Sequence, residues 1–171
     1  MSGILKSSVV AGVSLLVLAA LADVRINTTK SIPIGLYRTT SDPVEKGSYV
    51  IFCPPNEIVF DDAKERGYIG AGFCPGGYGY MMKRVLATES DVVNITDEGV
   101  RVNGELLAFS APFKNDKVGR PLPRLEVNQY TLNTSELLLM SDVSGTSFDG
   151  RYFGLISRKQ VKGVIRPILT W

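Results

Sequence analysis

The chain contains no histidine, which makes a Ser-His-Asp triad, a Cys-His dyad and an H-E-x-x-H zinc site impossible. Cysteine is nearly as scarce. Cys53 and Cys74 are the only two, too few without histidine for a structural zinc centre, so no metal and no cofactor are expected. A strong charge of one sign is missing as well. The net charge is +2, from 19 basic and 17 acidic residues mixed along the chain. No basic stripe with interleaved aromatics marks a nucleic-acid footprint. The glycine-rich stretch Gly70 to Gly79 lacks the G-K-[ST] ending of a phosphate cradle. A hydrolase made from these residues must activate its nucleophile by other means. Lysine is the main remaining candidate, because burial can bring its pKa towards neutrality.

Long apolar runs are absent with one exception. Val9 to Ala22 is apolar or small apart from Ser14, with Lys6 and no acidic residue before it. A charged start followed by an apolar run is an export signal. Gly3 to Ala22 approaches the roughly 20 residues that a membrane helix needs. Ala20-Leu21-Ala22 fits the small-x-small pattern of a cleavable signal peptide. Both readings stay open: residues 1–22 are a signal peptide or a membrane anchor, and residues 23–171 form one exported domain. A buried core helix is the plainer alternative. Export puts Cys53 and Cys74 in an oxidising compartment, where a disulfide can persist; two unpaired buried thiols are the alternative.

The exported part reads as mainly β, with one short helix and a separate N-terminal apolar helix. Asp23 to Lys30 reads as a polar connector. Lys46 to Cys53 is a buried strand after a turn, and Asn56 to Arg66 a short helix with Asn56 as N-cap and Gly67 as terminator. Tyr80 to Thr88 is a strand whose alternation puts Met81, Lys83 and Val85 on one face and Met82, Arg84 and Leu86 on the other. Asp91 to Gly104 is a hairpin, Phe109 to Asn128 a long exposed loop, Glu136 to Ser141 a buried strand and Val161 to Leu169 a closing strand.

Two residues stand out. Ser31 precedes Pro33 and Gly35, which stiffen the chain and permit a close approach. Lys83 shares a face with apolar neighbours, the environment that lowers a lysine pKa. Each has a plain local reading: an ordinary Ser-x-Pro turn, and a strand-edge lysine snorkelling to water.

Four stretches in order resemble the signal peptidase I family of Ser/Lys proteases. Ser31 with Pro33 is similar to the nucleophile box, and Lys46 to Val50 to the strand that follows it. Lys83-Arg84-Val85 is similar to the box of the general base. Ser147-Phe148-Asp149-Gly150-Arg151-Tyr152 resembles the Ser-x-Asp-Ser-Arg-Tyr box. Two features depart from bacterial leader peptidases: proline stands two places after Ser31 instead of three, and no Gly-x-Pro-Gly-Asp follows Lys83. Ser31 to Tyr37 and Gly72 to Gly76 look instead like the TraF branch, the conjugal-transfer peptidases of plasmids.

The resemblance implies a signal peptidase I-like (LexA/signal peptidase) β-fold behind an N-terminal signal or anchor helix. Ser31 is implied as nucleophile, Lys83 as base and Asp149 as a third residue that matters for activity. Thr29 would add an oxyanion donor and Ser147 would orient the lysine amine. A carboxylate touching Lys83 would raise its pKa, so Asp149 is expected to pair mainly with Arg151.

The implied substrate is a pilin precursor, cut or cyclised through an acyl-enzyme. The implied location is periplasmic, at the outer face of the inner membrane, either anchored or soluble after cleavage behind Ala22. Other transfer-apparatus proteins and the inner membrane surface are implied partners. The competing readings are a general leader peptidase, a non-catalytic component of the transfer apparatus and a LexA-like self-cleaving repressor. The export segment and the lack of a DNA-binding N-terminal domain count against the last.

Overall fold

A computed structural model describes Leu18 and residues 23–171. A seven-stranded sheet carries the site. In chain order its strands are β1 (Val24–Asn27), β2 (Gly35–Thr40), β3 (Tyr49–Phe52), β5 (Met81–Ala87), β10 (Glu136–Met140), β11 (Ile156–Ser157) and β12 (Val161–Thr170). Their spatial order is β1-β2-β12-β3-β5-β10-β11. A second sheet has the order β8-β7-β6-β9, from β6 (Val92–Thr96), β7 (Gly99–Val102), β8 (Glu105–Leu106) and β9 (Val127–Thr131). Two short helices, α1 (Ile58–Glu65) and α2 (Gly150–Phe153), the short strand β4 (Ala71–Cys74) and 3-10 turns at Pro75–Gly77 and Arg158–Gln160 complete the described elements.

Alternation in β5 decides which way Lys83 faces. Met81, Lys83, Val85 and Ala87 are buried, while Met82, Arg84 and Leu86 are only partly so. Lys83 lies opposite Val50 of β3, and Val85 opposite Leu139 of β10. A face lined by Val50, Phe52, Met81, Val85 and Leu139 belongs to the main core. The opposite face puts Arg84 against Asp142, at 2.7 Å. The second sheet packs its own core, Val93, Ile95, Val100 and Val102, against Leu138 and Met140 of β10.

The sheet order has a geometric consequence. Three inter-strand steps separate β2 from β5, roughly 14 Å in a flat sheet. The turn that enters β2 nevertheless touches β5 (below), so the sheet must coil back on itself. Ile32, at the base of that turn, is fully buried with Tyr37, Ile51 and Ile165. Gly35 lets the turn close. A Cβ there would stand 2.1 Å from the Leu169 carbonyl oxygen of β12, a contact that no side chain survives.

Several sequence expectations need correction. Asp23 to Lys30 is not a connector: Val24–Asn27 pairs with β2 in antiparallel register. The glycine-rich loop contains β4 and a 3-10 turn at Pro75–Gly77. The helix runs Ile58–Glu65, and its N-cap is Glu57 without a side-chain cap, not Asn56. The N-terminal apolar helix is also corrected as part of the fold. A span needs roughly 20 apolar residues, whereas α1 has 8 residues and α2 has 4. Among the described residues no helix is long and apolar enough to cross a membrane. Residues 1–22, on which that expectation falls, lie outside the described residues apart from Leu18. The location at the outer face of the inner membrane, and the membrane surface as partner, rested on that helix and are withdrawn with it.

Cys53 and Cys74 are joined in a disulfide. It staples the ends of β3 and β4 and encloses α1, whose Phe60 and Ala63 face the core. Loop closure over 21 residues of separation stabilises the fold by about 3 kcal/mol. Reduction, or Cys53→Ser with Cys74→Ser, is therefore expected to lower the unfolding free energy by about that amount. Urea denaturation with and without reductant checks it; coincident curves would show that the bridge stabilises nothing.

Candidate active site

Lys83 is only 2% exposed, and its Nζ lies 2.8 Å from Ser31 Oγ. Burial, the largest influence, pulls its pKa from 10.5 down to about 8. The Asp149 charge opposes this and the Arg151 charge assists it. At that value about one molecule in ten carries a neutral amine at pH 7, against one in a few thousand for a solvated lysine. A neutral amine 2.8 Å from a hydroxyl can accept its proton.

The serine is held by a turn that Asn27 organises. The Asn27 amide nitrogen lies within donating distance of three carbonyl oxygens, those of Thr29 (2.8 Å), Ile32 (3.0 Å) and Pro33 (3.1 Å). Its oxygen accepts from the Thr29 backbone (3.2 Å) and the Thr29 hydroxyl (3.0 Å). Asn27 is itself buried. Tyr37 donates to the Pro33 carbonyl from the far side, at 2.6 Å. Burial, then the Asp142 charge, raises the Tyr37 pKa, which keeps the hydroxyl a donor. The turn thus has fixed geometry on both sides of Ser31. The Thr29 hydroxyl is also 3.2 Å from Ser31 Oγ, beside the reacting oxygen. Asn27 did not stand out in the sequence, where residues 23–30 read as connector, and Tyr37 entered only as the end of the Ser31 to Tyr37 stretch, without a role of its own.

The remaining predicted residues lie close by but bond differently. Asp149 forms no hydrogen bond or salt bridge with Lys83 among the described residues. Its Oδ1 accepts from Arg151 Nε at 2.8 Å, and its Oδ2 from Arg151 Nη2 and the Ser141 backbone, each at 3.0 Å. Both partners of this ion pair are fully buried. Arg151 reaches on to the Gly145 carbonyl at 2.8 Å. Ser141 Oγ lies 3.5 Å from the Lys30 carbonyl, next to Ser31. Among the described residues Ser147 Oγ is buried without a hydrogen-bond partner and is not bonded to Lys83.

The pair opens into a cleft of about 220 Å3 lined by Ile26, Thr29, Ser31, Ile69, Tyr80 and Lys83, among others. The walls come from β1, from the segment stapled by the disulfide and from β5. No cluster of metal-ligating residues stands among the described residues. Such a site can carry out acyl transfer: an oxygen nucleophile, an adjacent base with lowered pKa and a groove beside a strand.

Comparison with known proteins follows that geometry. A family model described as "Signal peptidase, peptidase S26" matches residues 3–171. The chain is 68% identical to "Plasmid transfer protein TraF" of Escherichia coli, over 100% of both chains. It is 32% identical to "Conjugal transfer protein TraF" of Agrobacterium fabrum, over 91% of this chain and 87% of that one. A crystal structure of a signal peptidase I from Enterococcus faecalis aligns with TM-score 0.42 and 16% identity, covering 74% of this chain and 100% of that one.

Two outcomes are expected. Between pH 8 and 10.5 the unfolded chain binds more protons than the native one, so native stability rises with pH through that window and its cost is fully felt below pH 8. Lys83→Met should therefore be more stable than wild type at pH 7, by up to about 3 kcal/mol, and the gap should close by about pH 11. Urea melts at the two pH values test this; a gap independent of pH would show that the amine is not desolvated. Asn27→Ala should lower turnover about a hundredfold through misplacement of Ser31. The midpoint of the pH–rate profile should stay where it is, since Lys83 is untouched. A shifted midpoint would assign Asn27 to the base instead.

Proposed function

The chain belongs to the signal peptidase S26 family of serine proteases, is related to the TraF proteins of conjugal transfer, and on that premise we propose that it matures a pilin precursor for a plasmid transfer system through an acyl-enzyme on Ser31. The observation that carries the assignment is the 2.8 Å contact between Ser31 Oγ and the buried Lys83 amine. Neutral Lys83 takes the hydroxyl proton as Ser31 Oγ attacks the scissile carbonyl. The Ser31 backbone N–H and the Thr29 hydroxyl are the donors proposed for the oxyanion. Thr29 now shares its one proton between Asn27 and Ser31, so it must turn from them to serve the oxyanion. Protonated Lys83 then gives its proton to the leaving amine. A second nucleophile, losing a proton to Lys83, releases the acyl group.

Asp149 acts at one remove. Its charge opposes the lowered lysine pKa, and Arg151 offsets that charge. The pair's role is to hold the loop after β10 against the nucleophile turn. Substrate lies extended along the edge of the cleft, paired by its main chain.

The second nucleophile decides the product. Water gives a linear chain; the precursor's own α-amine, partly neutral near pH 8, gives a cyclic one. A broader reading, a leader peptidase with several precursor substrates, is what the family match over residues 3–171 supports by itself.

Mass spectrometry of the pilin precursor, incubated with wild-type or Ser31→Ala protein, tests the proposal. Processing by wild type and none by the variant is expected. A product one water lighter than the linear segment identifies cyclisation. Equal processing by both proteins would dismiss Ser31 as nucleophile. Efficient cutting of unrelated preproteins but not of the pilin precursor would favour the broader reading.

A further inference from the structure

Next to the catalytic cleft lies a second, larger cavity of about 490 Å3, within the roughly 300–1,000 Å3 of sites that enclose ligand groups. Its walls are chiefly apolar: Phe113, Val118, Leu122, Phe148 and Tyr152, with Tyr68 on one side. Tyr68 and Phe148 line the cleft too, so one pair of rings, 5.5 Å apart, divides the two spaces. Phe148 also stacks on Tyr152 at 5.8 Å.

The cavity is built and held, not a gap between loops. Its outer wall comes from residues 113–122, which fold into a small hairpin with a bridge between Asn115 and Pro121. Asp116 pins that hairpin to the cleft. Its carboxylate accepts from the Tyr68 hydroxyl at 2.6 Å and from Arg120 Nε at 2.7 Å. The Tyr68 bond, then Arg120 and backbone donors, holds this carboxyl well below the usual range. From the other side, the Phe113 backbone donates to the Tyr152 hydroxyl at 2.9 Å. Tyr68 also belongs to the segment enclosed by the disulfide. At the mouth, Phe113 and Val118 stay more than half exposed, at 53% and 73%. Fixed walls with apolar side chains left in water mark a place that a partner covers.

We propose that this cavity is a distal substrate subsite, which takes a large apolar side chain of the polypeptide whose scissile bond lies at Ser31. The occupant follows from continuity: a chain extended in the cleft runs against Tyr68 and Phe148, and the next room behind those rings is apolar. The cleft itself, about 220 Å3 and lined by polar as well as apolar groups, selects near the cut. The second cavity selects some residues away. It thereby supplies the sequence discrimination that a small cleft lacks. The inference rests on the peptidase reading, and its test separates the two.

The probes are alanine/serine peptides of twelve residues that carry one phenylalanine, walked a position at a time. Their affinity for Ser31→Ala protein, with the disulfide intact, is read by fluorescence anisotropy, and their cleavage by wild type is measured separately. One position, or two neighbouring ones, should bind about tenfold or more tightly than the peptide without phenylalanine, as burial of an aromatic ring implies. Val118→Trp and Thr146→Trp place a ring at the mouth from exposed positions. Both should bring that affinity ratio to about one. Affinity that does not depend on the phenylalanine position, or a preference that survives both substitutions, overturns the subsite. Position-dependent binding without any cleavage by wild type would leave the cavity as a peptide-binding pocket and bring down the peptidase reading, and with it the name of subsite. Cleavage that ignores the phenylalanine would do the reverse.

Discussion

Everything in the site depends on keeping one amine out of water. A lysine in solvent is almost never neutral at pH 7, and a protonated lysine cannot be a base. The fold solves this with sheet alternation. Lys83 stands on the inner face of β5 between Met81 and Val85, opposite Val50. Its stem is thus buried along its length, and the charged form loses its hydration. The cost falls on stability and the gain on reactivity, so the site is one place where the molecule is less stable than its core composition implies.

A desolvated base is useful only if its neighbours do not recharge it. Asp149 is the neighbour that would do so. Arg151 occupies both of its oxygens and is buried with it. A buried ion pair of this kind contributes little net stability, but losing one partner is costly, about 3–5 kcal/mol. Its value here is positional: one carboxylate joins Arg151, the Ser141 backbone and, through Ser141, the chain beside Ser31. Ser31 and its support are therefore held by buried polar bonds, with Asn27 on one side of the turn and the Asp149 pair on the other.

Much of this was legible in the sequence because it is local. The period of two in Tyr80 to Thr88 placed Lys83 on an apolar face, and the missing histidine left lysine as the base to look for. The hairpin of β6 and β7 follows its turn residues Asp97-Glu98-Gly99. What stayed hidden is non-local. Val24–Asn27 has too few residues and too many charges nearby to read as a strand, and becomes one only through its register with β2. Asn27 looks like any polar residue until the turn folds around its side chain. Ser147 was expected on the lysine amine, but its hydroxyl has no partner among the described residues; rotamer and loop path, which pattern does not encode, decide that contact. The apolar N-terminal helix was a compositional reading with no counterpart among the described elements.

The position of β12 carries a consequence for how the molecule comes into being. It lies between β2, which follows the Ser31 turn, and β3, which pairs with the strand that carries Lys83. Every other described strand precedes it in the chain. Its Leu169 carbonyl closes on Gly35, and the Trp171 backbone donates to Ile34 at 3.0 Å. During synthesis, then, Ser31 and Lys83 are both made long before the strand that bridges their halves of the sheet. The sheet that sets Ser31 against Lys83 is therefore complete only once β12 has joined its two halves.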